Sequence, residues 1–226
     1  MDKVFKLVDF NVYNGKCNED TASENDESRT SYTDENIFLI QIFGLNTKGE
    51  TCSIIVNNYK PFFYVMVNDT WNTSTKLLFL AEVKRKMGKF YENSITECII
   101  VKRKKLYGFD GGKQHKFIKL EFTNMSAFNK AKNLWYGEYT DSGRSLLKHG
   151  YPFMDTNTLL YEANIPPLLR FFHICDISPS GWIMIPAKIM ALATATLEKK
   201  TNCDYEITMN LEDIYPLNEK EDRVPY

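Results

Sequence analysis

Between residues 62 and 137 the apolar side chains change their spacing in an order that few folds can accommodate. Phe62-Phe63-Tyr64-Val65-Met66-Val67 is a short aromatic and β-branched run, the pattern of a strand. Leu77, Leu80, Ala81 and Met87 then recur at helical spacing, with Thr73 or Ser74 placed to cap the start and Gly88 to end it. Strand patterning returns over residues 95–106 and 116–122, and the glycine-rich link Gly108-Phe109-Asp110-Gly111-Gly112 between them reads as a hairpin. A second helix follows, capped by Asn124 or Ser126, with Phe128, Ala131, Leu134 and Trp135 as its inner stripe. Strand, helix, strand, strand, helix is most of a ferredoxin-like or RRM-like βαββαβ unit. Residues 181–185 are the candidate last strand, reached across a long insertion.

The flanking segments are richer in strand signals. In residues 3–13, Phe5, Leu7 and Asp9 alternate with Val4, Lys6 and Val8, and residues 36–45 and 51–56 pair around the turn Asn46-Thr47-Lys48-Gly49. Asn164-Ile165-Pro166-Pro167 opens a helix, since proline fits the first turn. Ile165, Leu168, Leu169 and Phe172 form its apolar stripe, with Arg170 and His173 turned away. Tyr205, Ile207 and Met209 alternate in a final strand. The expectation is an α+β protein: a β-rich, OB-like hairpin subdomain over residues 1–58 and the ferredoxin-like part over 59–137. An insertion, helix and closing strands follow over 138–211, then a polar linker over 212–226.

Charge is segregated along the chain although the net is only −1. Residues 17–36 carry seven acids and one Arg with almost nothing apolar, so they read as a mobile acidic loop that is dispensable for folding. Residues 76–119 hold twelve Lys or Arg against four acids, and residues 212–222 are acidic again. The five cysteines are never closer than 28 positions, which excludes paired zinc-ligand spacing and favours buried thiols. No apolar stretch approaches the ~20 residues of a membrane-spanning helix. The charged start Met1-Asp2-Lys3 does not read as a signal peptide, so a cytoplasmic or nuclear setting is expected.

Catalytic patterns are missing: His115, His149 and His173 stand apart, and there is no nucleophile elbow, Walker loop or metalloprotease helix. The basic band is the functional signal. Lys102, Arg103, Lys104 and Lys105 end one strand, with Lys113 and Lys116 across the hairpin, and clustered cations bind phosphates by releasing counterions. Phe117 is the aromatic that alternation in its own strand leaves on the sheet face opposite Ile118, Leu120 and Phe122. Lys84, Arg85, Lys86 and Lys89 have a structural reading, as cations closing a helix.

Tyr161-Glu162-Ala163-Asn164-Ile165-Pro166-Pro167-Leu168-Leu169-Arg170-Phe171-Phe172, followed by Ser180-Gly181-Trp182-Ile183, resembles a stretch of family B DNA polymerases, with the delta-like enzymes of large DNA viruses most similar. Phe43-Gly44, Pro61-Phe62-Phe63-Tyr64-Val65 and Leu106-Tyr107-Gly108-Phe109 are similar to shorter patterns of the same family. The resemblance implies the amino-terminal domain of a replicative polymerase, packed on an exonuclease domain and near the template. It implies DNA, the enzyme's own exonuclease and polymerase domains and a processivity factor as partners, in the replication compartment of an infected cell. The family's exonuclease and polymerase acids are not in this sequence, so no catalytic residue carries over and no cofactor is expected here, magnesium belonging to the full-length enzyme. Two other functions fit the residues: an autonomous single-strand binding module, and a protein-interaction domain that presents the acidic loop.

Overall fold

The computed structural model describes residues 2–16, 34–105, 108–140, 143–193 and 199–217. Most of the acidic loop expected over residues 17–36, and the tail beyond residue 217, lie outside the described residues. In chain order the elements are β1 (Lys3–Gly15), β2 (Ile37–Leu45), β3 (Thr51–Val56), β4 (Phe62–Val67), α1 (Thr73–Met87), β5 (Ile95–Lys104), β6 (Gln114–Phe122) and α2 (Met125–Lys132). They continue as β7 (Tyr151–Phe153), β8 (Thr156–Tyr161), α3 (Pro167–Cys175), β9 (Trp182–Ile185), α4 (Ala187–Ala193), β10 (Tyr205–Met209) and β11 (Tyr215–Leu217). The fold is α+β, built on two sheets. Two compact units divide it, one of residues 1–17, 37–59 and 165–226, the other of residues 18–36 and 60–164.

The first unit is a six-stranded sheet in the order β10-β3-β2-β1-β9-β11, antiparallel except for the parallel β10–β3 pair. Phe5 and Leu7 of β1, Phe38, Ile40 and Ile42 of β2, and Cys52, Ile54 and Val56 of β3 are buried at alternate positions, and Leu39 of β2 and Ser53 of β3 between them are buried as well. Ile207 and Met209 extend that core onto β10. Gly44 pairs with Leu7, and a Cβ there would stand 3.0 Å from the Lys6 carbonyl oxygen and 3.1 Å from Phe5 Cβ. A side chain here would crowd β1, so glycine eases the close approach of the two strands.

Three expectations are corrected in this unit. The candidate last strand, residues 181–185, does not complete the ferredoxin-like sheet: β9 pairs with β1 and β11 here. Part of the supposed linker is structured, because β11 is hydrogen-bonded to β9. On α3 the residues buried are Arg170 and Phe171, whereas Leu169 is 47% exposed. The burial follows Phe171, whose ring meets Tyr59 and Phe172, and not the Ile165–Leu168–Leu169–Phe172 stripe.

The second unit is a five-stranded antiparallel sheet ordered β5-β6-β4-β8-β7. Its fourth long strand is β8, from within the segment read as an insertion. Phe63, Val65, Ile118, Leu120 and Phe122 pack beneath α1 and α2, joined by Phe79, Val83, Phe128 and Trp135. Asn72 caps α1 by accepting from the Thr75 amide, and Asn124 caps α2 by accepting from the Ala127 amide. The buried stripe of α1 is Phe79, Val83 and Met87, while Leu77 is 55% exposed. That corrects the stripe of Leu77, Leu80, Ala81 and Met87, of which Met87 is fully buried and Leu80 packs against the core.

Candidate nucleic-acid interface

Strand alternation divides the second sheet into a face that packs beneath α1 and α2 and a far face. Register places Tyr64 opposite Lys119 and Tyr161, Met66 opposite Phe117 and Leu159, and Phe62 opposite Glu121. The far face therefore gathers four aromatic rings. Phe62 lies edge-on to Tyr64 with centroids 5.6 Å apart, Tyr64 to Phe117 at 6.2 Å, and Phe117 to Tyr161 at 5.3 Å. Phe117 is only 3% exposed. Its faces are taken by packing, so it is not presented for a base to stack upon.

Lys119 is held in the same layer. Its ammonium lies 3.3 Å from Glu97 Oε2, donates to Glu121, and sits 4.6 Å from the Phe62 ring centroid. Burial pulls the lysine's pKa down, but the Glu121 and Glu97 carboxylates outweigh it and leave the value above ordinary. The cation is committed inside the fold and is a poor phosphate ligand.

The predicted cations fall into two groups. Lys102, Arg103 and Lys104 are exposed at the end of β5, opposite Lys116, His115 and Gln114, and Lys113 is exposed beside Asp69, 3.9 Å away. Lys116 turns inward and donates to the carbonyl oxygens of Asp69 at 2.5 Å and Trp71 at 2.7 Å, tying β6 to the turn before α1. Lys105 lies 3.3 Å from Asp110 Oδ2, which also meets His115 Nε2 at 2.5 Å. The His115 contact, with Lys105, holds the Asp110 carboxyl below its usual range. Chemically, the hairpin end offers Lys102, Arg103, Lys104 and Lys113 to an anionic backbone, with Lys105 partly neutralised.

Sequence reasoning missed Tyr161 as a member of the far face because β8 was not recognised as a strand. Phe62 and Tyr64 were within its reach: one more application of alternation, to β4, puts both beside Phe117. Among the described residues no three His, Cys, Asp or Glu side chains gather to hold a metal ion, and no helix is long and apolar enough to cross a membrane.

No family model matches the sequence. The chain is 43% identical over 227 residues to the DNA polymerase of Phaeocystis pouchetii virus, covering 99% of this chain and 21% of that protein. To the DNA polymerase delta catalytic subunit of Schizosaccharomyces pombe it is 25% identical over 186 residues, or 82% of this chain and 16% of that one. In structure it is similar to the family B DNA polymerase of the archaeon Pyrobaculum calidifontis, with a TM-score of 0.52 and 14% identity over 91% of this chain and 20% of that one. The chain spans about a fifth of the length of these relatives.

Proposed function

Since the chain belongs with the family B DNA polymerases in sequence and in fold, we propose that it serves as the amino-terminal, non-catalytic domain of a replicative polymerase. In that role it scaffolds the exonuclease and polymerase domains and guides the template strand toward them. The observation that carries this is an alignment running through 99% of the chain yet only 21% of a viral polymerase, the extent of one accessory domain. The partners are then DNA, the enzyme's own remaining domains and a processivity factor, in the replication compartment of an infected cell. Magnesium-dependent nucleotidyl transfer and proofreading belong to those other domains.

The finer fold reading follows the same line. The order β5-β6-β4-β8, with α1 and α2 on one face, supports a ferredoxin-like second unit. A long β1, bulged between Leu7 and Asp9 and flanked by β2 and β9, supports an OB-like first unit.

Template guidance rests on Lys102, Arg103, Lys104 and Lys113, which contact phosphates without reading sequence. Titration of the 226-residue chain with a labelled primer–template bearing a single-stranded overhang, at several salt concentrations, tests it. Neutralising four phosphates gives a log–log slope of roughly −3 at most on single strands. Replacing Lys102, Arg103 and Lys104 by Ser should flatten the slope and weaken all sequences alike. Binding that survives those changes but is lost in Phe117→Leu would replace template guidance by base stacking on the far face. No binding at low salt would leave the scaffold role alone.

A further inference from the structure

Phe109, in the connection between β5 and β6, is fully exposed. A single exposed phenylalanine is ordinary in itself, and its setting decides what it can do. The last pair of the β5–β6 ladder is Lys104 opposite Gln114, so Phe109 lies in the tip of that hairpin. A Cβ built on Gly108 or Gly111 would meet nothing within 4 Å, so the space on both sides of the ring is open. Among the described residues of 102–116, Phe109 is the one large apolar side chain that is exposed.

The residue after Phe109 is tied to both strands of the hairpin. Asp110 Oδ2 meets the Lys105 ammonium, just past β5, at 3.3 Å and His115 Nε2, in β6, at 2.5 Å. The Lys113 amide donates to the Asp110 carbonyl oxygen at 3.5 Å. Asp110 is also the one acid in residues 102–116, and its contact with Lys105 offsets the charge that would repel a phosphate. The cations reach the tip. A Cβ on Gly112 would stand 3.9 Å from Lys104 Nζ, and Lys113 is exposed next to it. Phe117 is covered by packing, whereas Phe109 stands open among these charges.

We propose that Phe109 stacks on an unpaired base of the template strand, while Lys104 and Lys113 hold phosphates beside that base. This rests on template guidance by the hairpin cations and adds what phosphate contacts alone lack, a preference for bases that are free of a duplex. Every base has a π-face, so an exposed ring takes any of them and the contact stays independent of sequence. A protein partner suits the tip less well. The centre of such an interface is an aromatic anchor in a desolvated, well-packed surround. The described neighbours of Phe109 in the tip are glycines, one carboxylate and lysines.

The test titrates the 226-residue chain against three fluorescein-labelled DNAs, read by anisotropy. One is a primer–template with an overhang of thymidines. The second has an overhang of the same length made of abasic sites, which keeps the phosphates and removes the bases. The third is a blunt duplex. The wild type is expected to bind the thymidine overhang about tenfold tighter than the abasic one, the effect of stacking one base on one ring. Phe109→Ala should abolish that difference and leave the salt slope, the duplex affinity and the unfolding midpoint unchanged, because the ring is fully exposed. Phe109→Trp should keep the difference, and replacing Lys102, Arg103 and Lys104 by Ser should weaken both overhangs alike. Equal affinity of the wild type for the two overhangs, or a Phe109→Ala variant that still tells them apart, overturns the stacking and leaves template guidance standing. Duplex binding that falls as far as overhang binding in Phe109→Ala also overturns it, since the ring would then act on paired DNA. Failure of the wild type to bind either overhang at low salt overturns template guidance and the stacking together.

Discussion

Tyr64 of β4 stands directly opposite Tyr161 of β8, and the Phe117 ring lies edge-on to both, at centroid distances of 6.2 and 5.3 Å. The arrangement joins two readings of the sequence that looked independent. Phe117 was a stacking candidate, and Tyr161 opened the stretch most similar to family B polymerases. In the folded chain both belong to one packed aromatic layer, which ends with β8 just before the unit boundary at Asn164. The layer covers Phe117 where a base-stacking module would leave it open.

The α1 packing gives the first prediction. Phe79 is fully buried, with ring contacts to Trp71, Trp135 and Phe153. Phe79→Ala should cost about 3–5 kcal/mol, from the lost transfer free energy and the cavity left behind. Leu77→Ala, two residues away and mostly exposed, should stay within about 0.5 kcal/mol. Urea midpoints of the two variants compare them directly.

That contrast shows what was legible and what was not. The second helix is legible because, of the stripe Phe128, Ala131, Leu134 and Trp135, three are buried in the core and Leu134 packs against it, although α2 itself ends at Lys132. On α1, Leu77, Leu78, Phe79 and Leu80 are consecutive, so several stripes of similar hydrophobicity were available and tertiary packing chose the one through Phe79 and Val83. The parallel β10–β3 pair and the placement of β9 beside β1 join residues more than 150 positions apart, and local pattern does not encode them. At the site, exposure of Lys102 to Lys104 was readable from the run of charge. The inward turn of Lys116 was not, because the carbonyls that it meets belong to a loop 45 residues away.

A pH dependence follows from Glu50. Hydrogen bonds from Lys3 first, then Asn46 and Tyr205, hold its carboxyl below the usual range in the folded state. The unfolded chain therefore binds the proton more readily, and stability rises with pH in that interval. The contribution is complete above the unfolded pKa, near 4.3 for a glutamate, and is lost as pH falls through the lower folded value. Urea midpoints from pH 3 to 6 should show the wild type ahead of Glu50→Gln at pH 6, with the two converging toward pH 3. Parallel curves would remove Glu50 from the acid response.

Gly150 supplies a steric prediction. It has φ 77°, and a Cβ there would stand 2.1 Å from the Thr158 carbonyl oxygen, which is backbone and does not yield. Gly150→Ala should therefore cost more than Gly108→Ala, where φ is 79° but nothing lies within 4 Å. The latter change meets only the left-handed penalty of roughly 1–2 kcal/mol. Thermal midpoints in that order are expected, and equal losses would mean that the Thr158 strand shifts freely.

The two groups of cations predict separable effects. Lys116 donates to the Asp69 and Trp71 carbonyls, so Lys116→Met removes charge-assisted bonds that close the loop before α1. It should cost about 1 kcal/mol of stability and leave the salt slope of primer–template binding nearly unchanged, since that ammonium faces protein. Replacing Lys102, Arg103 and Lys104 by Ser should do the reverse, leaving the unfolding midpoint in place and flattening the slope by about 0.7 for each phosphate that is no longer neutralised. Measuring both quantities on both variants separates positioning from binding. If Lys116→Met flattened the slope as much as the three-residue change, the inward lysine would be reaching phosphate in the complex, and the loop before α1 would have to open when DNA binds.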